Sequence, residues 1–343
     1  MSIPQTSWVQ RLCVWSLAIL AMIWGGPAAL AQLPPPPPGA YDAAPWLGQI
    51  RNDYVYGDVW ERPGLSPRDR SMITVAVTQA LNAASELRLH MGRALDNGLT
   101  QGEIEETLAQ VRWYATLPAE VNGAAIAAEV FAERGLPASA AGAASPQPAA
   151  RSADAGPVPF PPSQALQPRD RSLITVALAS ALYASDTLRV EVARALDNGV
   201  TQDELAEVIT HIAFYSGFPT AVNASRVTAE VLAARGLPLA DSRFPGAPYL
   251  ESLIDGLVFG ETWTRQPLSP RERSLAVIAV TLANYQSEQL RTHLARGLDN
   301  GLTAQEIAEL IAQVTLYSGF PSGLNASRIF GEVLRERGLG MPQ

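Results

Sequence analysis

The chain is 343 residues long and 47% hydrophobic, with a formal net charge of −8 at neutral pH. That balance describes a globular protein able to bury a sizeable core, and it excludes the broad basic surface that nucleic-acid binding requires. The sequence holds no lysine and a single cysteine, Cys13, so lysine Schiff-base chemistry is excluded.

At the N-terminus Arg11 precedes an apolar run from Leu12 to Trp24, followed by Gly25-Gly26-Pro27 and Ala29-Leu30-Ala31. A positive start, a short apolar centre and an A-x-A site describe a secretory signal peptide, expected to span 1–31. The run is shorter than the roughly 20 residues of a comfortable membrane span. The mature protein is therefore expected in the periplasm or outside the cell, with no stable membrane association. Cleavage would also remove Cys13, leaving no thiol for catalysis, metal ligation or disulfides. Residues 32–43 contain Pro34 to Pro38 and read as a stiff polyproline spacer.

Three copies of one pattern follow. Pro67-Arg68-Asp69-Arg70-Ser71 returns as Pro168-Arg169-Asp170-Arg171-Ser172 and as Pro270-Arg271-Glu272-Arg273-Ser274. Each copy then keeps register to an Arg-Gly-Leu ending, at Arg134, Arg235 and Arg337. The repeats are placed at 44–137, 165–238 and 247–340, with 138–164 as an Ala/Pro linker. Within a copy the punctuation is helical. Ser66-Pro67 offers an N-cap and a proline at the first turn, and Met72 to Leu81 reads as a buried helix. Leu87, Met91 and Leu95 form an apolar stripe ended by Asn97-Gly98. Thr100…Glu103, Thr201…Glu204 and Thr303…Glu306 are capping boxes opening a third helix, and a fourth runs from near Pro118 to Gly135. The expected fold is all-α, built as three tandem helical-bundle repeats. Each is too small to bury its apolar faces alone, so the copies should pack on one another or on a second chain.

The copies are unequal. Ala44-Pro45-Trp46-Leu47 to Trp60 recurs as Ala247-Pro248-Tyr249-Leu250 to Trp263, giving copies one and three a lead helix that copy two lacks. Copies one and three carry His90 and His293 where copy two has Glu191. Copy two reads as degenerate, and His211, without a counterpart, as structural. Three histidines spread over three copies make no metal site.

The string Tyr56-Gly57-Asp58-Val59-Trp60-Glu61-Arg62-Pro63-Gly64-Leu65, then Arg68-x-Arg70-Ser71, Leu87-Arg88-Leu89-His90, Asp96-Asn97-Gly98-Leu99-Thr100 and Pro118-x-x-x-Asn122, resembles the carboxymuconolactone decarboxylase family. Copy three resembles it equally well, through Leu316 to Pro321 and Asn325-Ala326. The resemblance implies an alkyl-hydroperoxidase-D-like helical bundle. It also implies assembly, as trimers or hexamers for single-copy chains, so a homo-oligomer is expected here, a dimer of three-copy chains being one form. The family's peroxidase branch carries Cys-x-x-Cys before its histidine; here Ala83 and Glu86, or Gln286 and Gln289, stand at those places. The cysteine-free branch, which decarboxylates without a cofactor, is the nearer likeness.

On that likeness His90 and His293 are the expected proton donors, imidazole being suited to protonate the carbon left by carbon dioxide loss. Arg70, Arg273, Arg88 and Arg291 are candidates to bind a small carboxylated molecule, since guanidinium pairs bidentately with carboxylate. Trp60 and Trp263 are candidate pocket walls. Two readings remain open: a cofactor-independent decarboxylase or isomerase of a small carboxylated lactone, and a non-catalytic ligand-binding or assembly protein.

Overall fold

The computed structural model describes residues 41–42, 45–112, 114–137, 165–266 and 268–342. The signal-peptide segment, most of the proline spacer and the whole linker 138–164 lie outside the described residues. Among the described residues there is no strand, and no helix is long and apolar enough to cross a membrane. The fold is all-α.

Each repeat is a four-helix unit. Repeat 1 comprises α2 (Pro67–Ala80), α3 (Ala84–Asp96), α4 (Gln101–Val111) and α5 (Leu117–Glu133), preceded by α1 (Pro45–Ile50). Repeat 2 comprises α6 (Pro168–Ala181), α7 (Ser185–Asp197), α8 (Gln202–Ser216) and α9 (Phe218–Ala234). Repeat 3 opens with α10 (Tyr249–Leu253) and continues through α11 (Pro270–Ala283), α12 (Ser287–Asp299), α13 (Ala304–Ser318) and α14 (Phe320–Glu336). The expected caps form: Ser66 Oγ accepts from Asp69 N–H, and full capping boxes open α4, α8 and α13. The lead segments of repeats 1 and 3 each pass into a π-helical stretch, Arg51–Tyr56 and Ile254–Glu261, ahead of the tryptophan.

One local difference shapes the site. Gly217 ends α8 with φ +94°, a conformation glycine adopts without steric penalty. Its counterpart Thr116 sits at φ −79°, and α4 stops at Val111. The longer α8 thus carries Tyr215 as a helical residue, whereas its counterpart Tyr114 lies in a turn.

Repeats 1 and 2 share one core. Helix α2 packs on α6 and α8, and α6 packs in return on α2 and α4, a reciprocal arrangement about a pseudo-twofold axis. Every residue from Asp69 to Gln79 is buried, as is nearly all of Asp170 to Ala181. Charged rims are reciprocal too: Arg68 donates to Asp170 (3.0 Å) and Arg169 to Asp69 (3.0 Å). The four long helices of repeat 3 keep a separate, smaller core, and α11 buries only Ser274, Ile278, Thr281 and Leu282, while the lead residues Ala247, Leu250 and Ile254 belong to the core of repeats 1 and 2. Pairing through the first long helix of each copy is thus realised for repeats 1 and 2, while repeat 3 joins them through its lead segment, where Tyr249 Oη donates to Asp58 at 2.5 Å.

Candidate active site

His90 lies on the buried stripe of α3 and is 1% exposed. The lead segment brings Trp60 over it, with ring centroids 6.0 Å apart and planes 13° from parallel. The opposite wall comes from repeat 2. Tyr215 meets His90 edge-on at 5.3 Å, and Trp60 Nε1 donates to Tyr215 Oη at 2.9 Å. His211, one helical turn earlier on α8, lies 5.1 Å from both Trp60 and Tyr215. The first site is therefore composite: α2, α3 and the lead segment of repeat 1, closed by α8 of repeat 2.

The protonation states follow from burial. The imidazole of His90 is pushed down to about 3, first by desolvation and then by Arg93 and Arg51. His211 is also held well below the usual range by burial, with Arg70, His90 and Arg93 adding to the effect. Thr74 Oγ1 donates to Arg70 O (2.7 Å), so the 2.8 Å contact with His211 Nε2 is made by an Nε2–H donor. Burial raises the Tyr215 phenol, which stays protonated. Acid sensitivity is a direct consequence. A histidine at about 3 when folded and near 6.5 when unfolded lowers stability as pH falls through 6.5, because the unfolded chain binds more protons. Between pH 7 and 5 His90 is expected to account for about 2 kcal/mol. Urea unfolding at the two pH values should show this loss in the wild type and a smaller one in His90→Gln; equal losses would show that His90 is not buried neutral.

Guanidinium groups surround the histidines. Arg70 is fully buried; its Nη2 donates to Arg62 O (2.7 Å) and to Glu207 (3.2 Å). Arg62 also grips Glu207, through Nε at 2.9 and 3.0 Å and Nη2 at 2.5 Å. Two arginines thus share one carboxylate. A third, Arg93, stacks on Trp60 and Tyr56, with Cζ 4.0 and 4.4 Å from their centroids. The Nε and Nη1 groups of both Arg70 and Arg93, and Nδ1 of both His90 and His211, are buried without a hydrogen-bond partner among the described residues.

The structure separates the other predicted residues. Trp60 lies against His90, and Arg70 lies on the His211 and Tyr215 side of the enclosure. Arg88 lies away from it: it pairs with Glu129 and, at 2.7 Å, with Glu133 on the outer side of α5. Arg291 likewise pairs with Glu332 and, at 2.9 Å, with Glu336. The physical reason is angular: two residues along a helix turn about 200°, so position 88 faces away from position 90. Arg93, three residues on, occupies the intended place. In repeat 3, Trp263 stacks on His293 at 6.1 Å with Arg296 at 5.4 Å from the indole, bordering an open cleft of about 540 Å³. Burial and Arg296 lower His293 only to about 4, and Arg273 donates to Arg265 O with no carboxylate partner among the described residues. The two histidine sites are not equivalent.

Glu207, His211 and Tyr215 are not found from the sequence, in which repeat 2 reads as degenerate and His211 as structural. The one signal pointing to them is that His211 is unique among the copies: Gln110 and Gln313 hold its place. The position equivalent to His90 in repeat 2, Glu191, accepts from Thr175 (3.0 Å) and pairs with Arg194 (3.2 Å). Among the described residues no group of three or more His, Cys, Asp or Glu is placed to hold a metal ion.

Residues 45–129, 160–230 and 248–332 each match the carboxymuconolactone decarboxylase family. The chain belongs to this family. Among its relatives, 4-carboxymuconolactone decarboxylase of Acinetobacter baylyi is 40% identical over 83 residues, 24% of this chain and 62% of that protein. Nitrosuccinic acid decarboxylase of Metarhizium robertsii is 34% identical over 70 residues, 20% of this chain and 49% of that one. An uncharacterized 15.0 kDa protein of Paracoccus denitrificans is 36% identical over 80 residues, 23% of this chain and 60% of its own. Each match therefore covers about half to three-fifths of the relative's length. The family's tandem triplication here coincides with the three helical units, and the His90 enclosure sits between the first two.

Proposed function

We propose that the protein decarboxylates a small carboxylated lactone or a related carboxylic acid, without a cofactor, chiefly at the His90 site. The observation that carries this reading is the concentration of partnerless buried guanidinium N–H groups, from Arg70 and Arg93, beside two neutral histidines. Donors of this kind stabilise carboxylate and developing oxyanion charge far better in a desolvated enclosure than in water. A bound dianion would offset Arg93 and raise the His90 pKa toward the working range, so that substrate binding itself charges the imidazole. The carbon–carboxylate bond then breaks, its electron pair delocalises into the lactone carbonyl, and the imidazolium proton is delivered to that carbon. Water restores the histidine proton. Both named decarboxylase relatives act, by their names, on carboxylic acids, which supports the class.

The test is carbon dioxide release from 4-carboxymuconolactone and from nitrosuccinate by purified protein, followed by solvent-deuterium incorporation at the product carbon. Release with incorporation supports the reading. Tight binding of either acid with no release would replace it with the ligand-binding reading.

A further inference from the structure

Repeat 3 exposes the face that repeats 1 and 2 bury against each other. Val280 on α11 is 55% exposed, while its counterparts Val77 and Leu178 are fully buried. Leu275 of the same helix and Leu310 line an open groove of about 340 Å³ along the α11–α13 seam. Their counterparts Met72, Leu173 and Val208 are fully buried at the pairing of repeats 1 and 2.

The charges on this face are half-made in the same pattern. Arg271 keeps the intramolecular pair with Glu306 that Arg68 makes with Glu103. The second bond of Arg68, to Asp170 of the other repeat, has no equivalent, and the corresponding carboxylate, Glu272, is exposed. Arg273 Nη2 donates to Arg265 O as Arg70 Nη2 does to Arg62 O, but among the described residues it lacks the second bond, to a carboxylate, that Arg70 Nη2 makes with Glu207 of the other repeat. Glu309, the counterpart of Glu207, is exposed and, among the described residues, accepts from Gln305 alone, at 3.0 Å. Each half of each missing pair is thus present on one surface, which makes that surface complementary to itself under a twofold rotation.

We propose that repeat 3 pairs with repeat 3 of a second copy of this chain, α11 against α11, in the geometry repeats 1 and 2 use internally. Glu309 of each copy then meets Arg273 of the other, Glu272 meets Arg271, and α13 of one copy closes over His293 of the other. The second histidine site is completed in trans, as the first is completed by α8. Val277 and Gln313 stand there in place of Thr74 and His211, so the completed second site keeps the arginine–carboxylate pair but lacks the second histidine.

Sedimentation of the full chain tests this without reference to catalysis. The wild type should sediment as a dimer at about 10 µM, and Val280→Asp as a folded monomer with unchanged helical circular dichroism, since position 280 is exposed in the single chain. Glu309→Arg should weaken dimerisation at least about tenfold by setting two arginines against each other in both halves. The double change Glu309→Arg with Arg273→Glu should restore it, because every copy supplies both members. A monomeric wild type, a dimer indifferent to Val280→Asp, or a double variant no tighter than Glu309→Arg alone would each overturn the proposal.

Discussion

His90→Gln should lower decarboxylation by about 10²- to 10⁴-fold, the range over which a positioned general acid acts. Glutamine keeps the length and a hydrogen-bonding end of the side chain, so packing against Trp60 and Tyr215 is largely retained while the transferable proton is lost. His293→Gln should remove less than half of the turnover. In the proposed dimer its site would have Gln313 and Val277 where the first has His211 and Thr74, and within one chain its neighbours Trp263 and Arg296 border an open cleft. His211→Gln should reduce kcat by a smaller factor and shift the acid limb of kcat/KM, because a partner that bonds Thr74 inside the enclosure would be altered without losing the donor itself. Arg88→Ala is the control, expected to stay within about twofold because its partners, Glu129 and Glu133, lie on the outer side of α5. Steady-state carbon dioxide release across the four variants decides the matter. A folded His90→Gln protein with wild-type turnover would remove His90 from the chemistry.

Glu207→Ala should destabilise the protein by about 3–5 kcal/mol, the usual cost of leaving a buried charge without its partner. Glu207 is the carboxylate shared by Arg62 and the fully buried Arg70, and burial already works against the Arg70 charge. Removing it leaves two guanidinium groups facing each other at the repeat 1–repeat 2 boundary. The pseudo-symmetric change Glu106→Ala supplies the comparison. Its partner Arg171, bonded at 2.5 Å, keeps 30% of its side chain exposed, so water can replace the carboxylate and a loss of about 1 kcal/mol is expected. Urea unfolding of both variants at pH 7 measures the difference. Equal losses would mean that burial of Arg70 does not set the cost.

The helices are legible in the sequence because their signals are local. A serine or threonine at the N-cap, a glutamate three residues later and a glycine past the end satisfy backbone groups within one turn, whatever the rest of the chain does. Thus Ser66, Thr100, Thr201 and Thr303 open helices where the sequence places them, and the stripe through His90 points inward. The two π-helical stretches carry no such signal, and neither does the early stop of α4, which turns on Thr116 standing where repeat 2 has Gly217.

The number of repeats, the all-α class, the helix starts and the histidines of copies one and three are written in the chain itself, each in a short stretch of residues. Which faces meet is set only in the folded molecule. The same apolar and charged face recurs in all three copies, and its pairing is a non-local event that no periodicity encodes. Repeats 1 and 2 bury it against each other, bringing Glu207, His211 and Tyr215 to residues more than a hundred positions earlier, while repeat 3, the odd one of three, keeps it exposed.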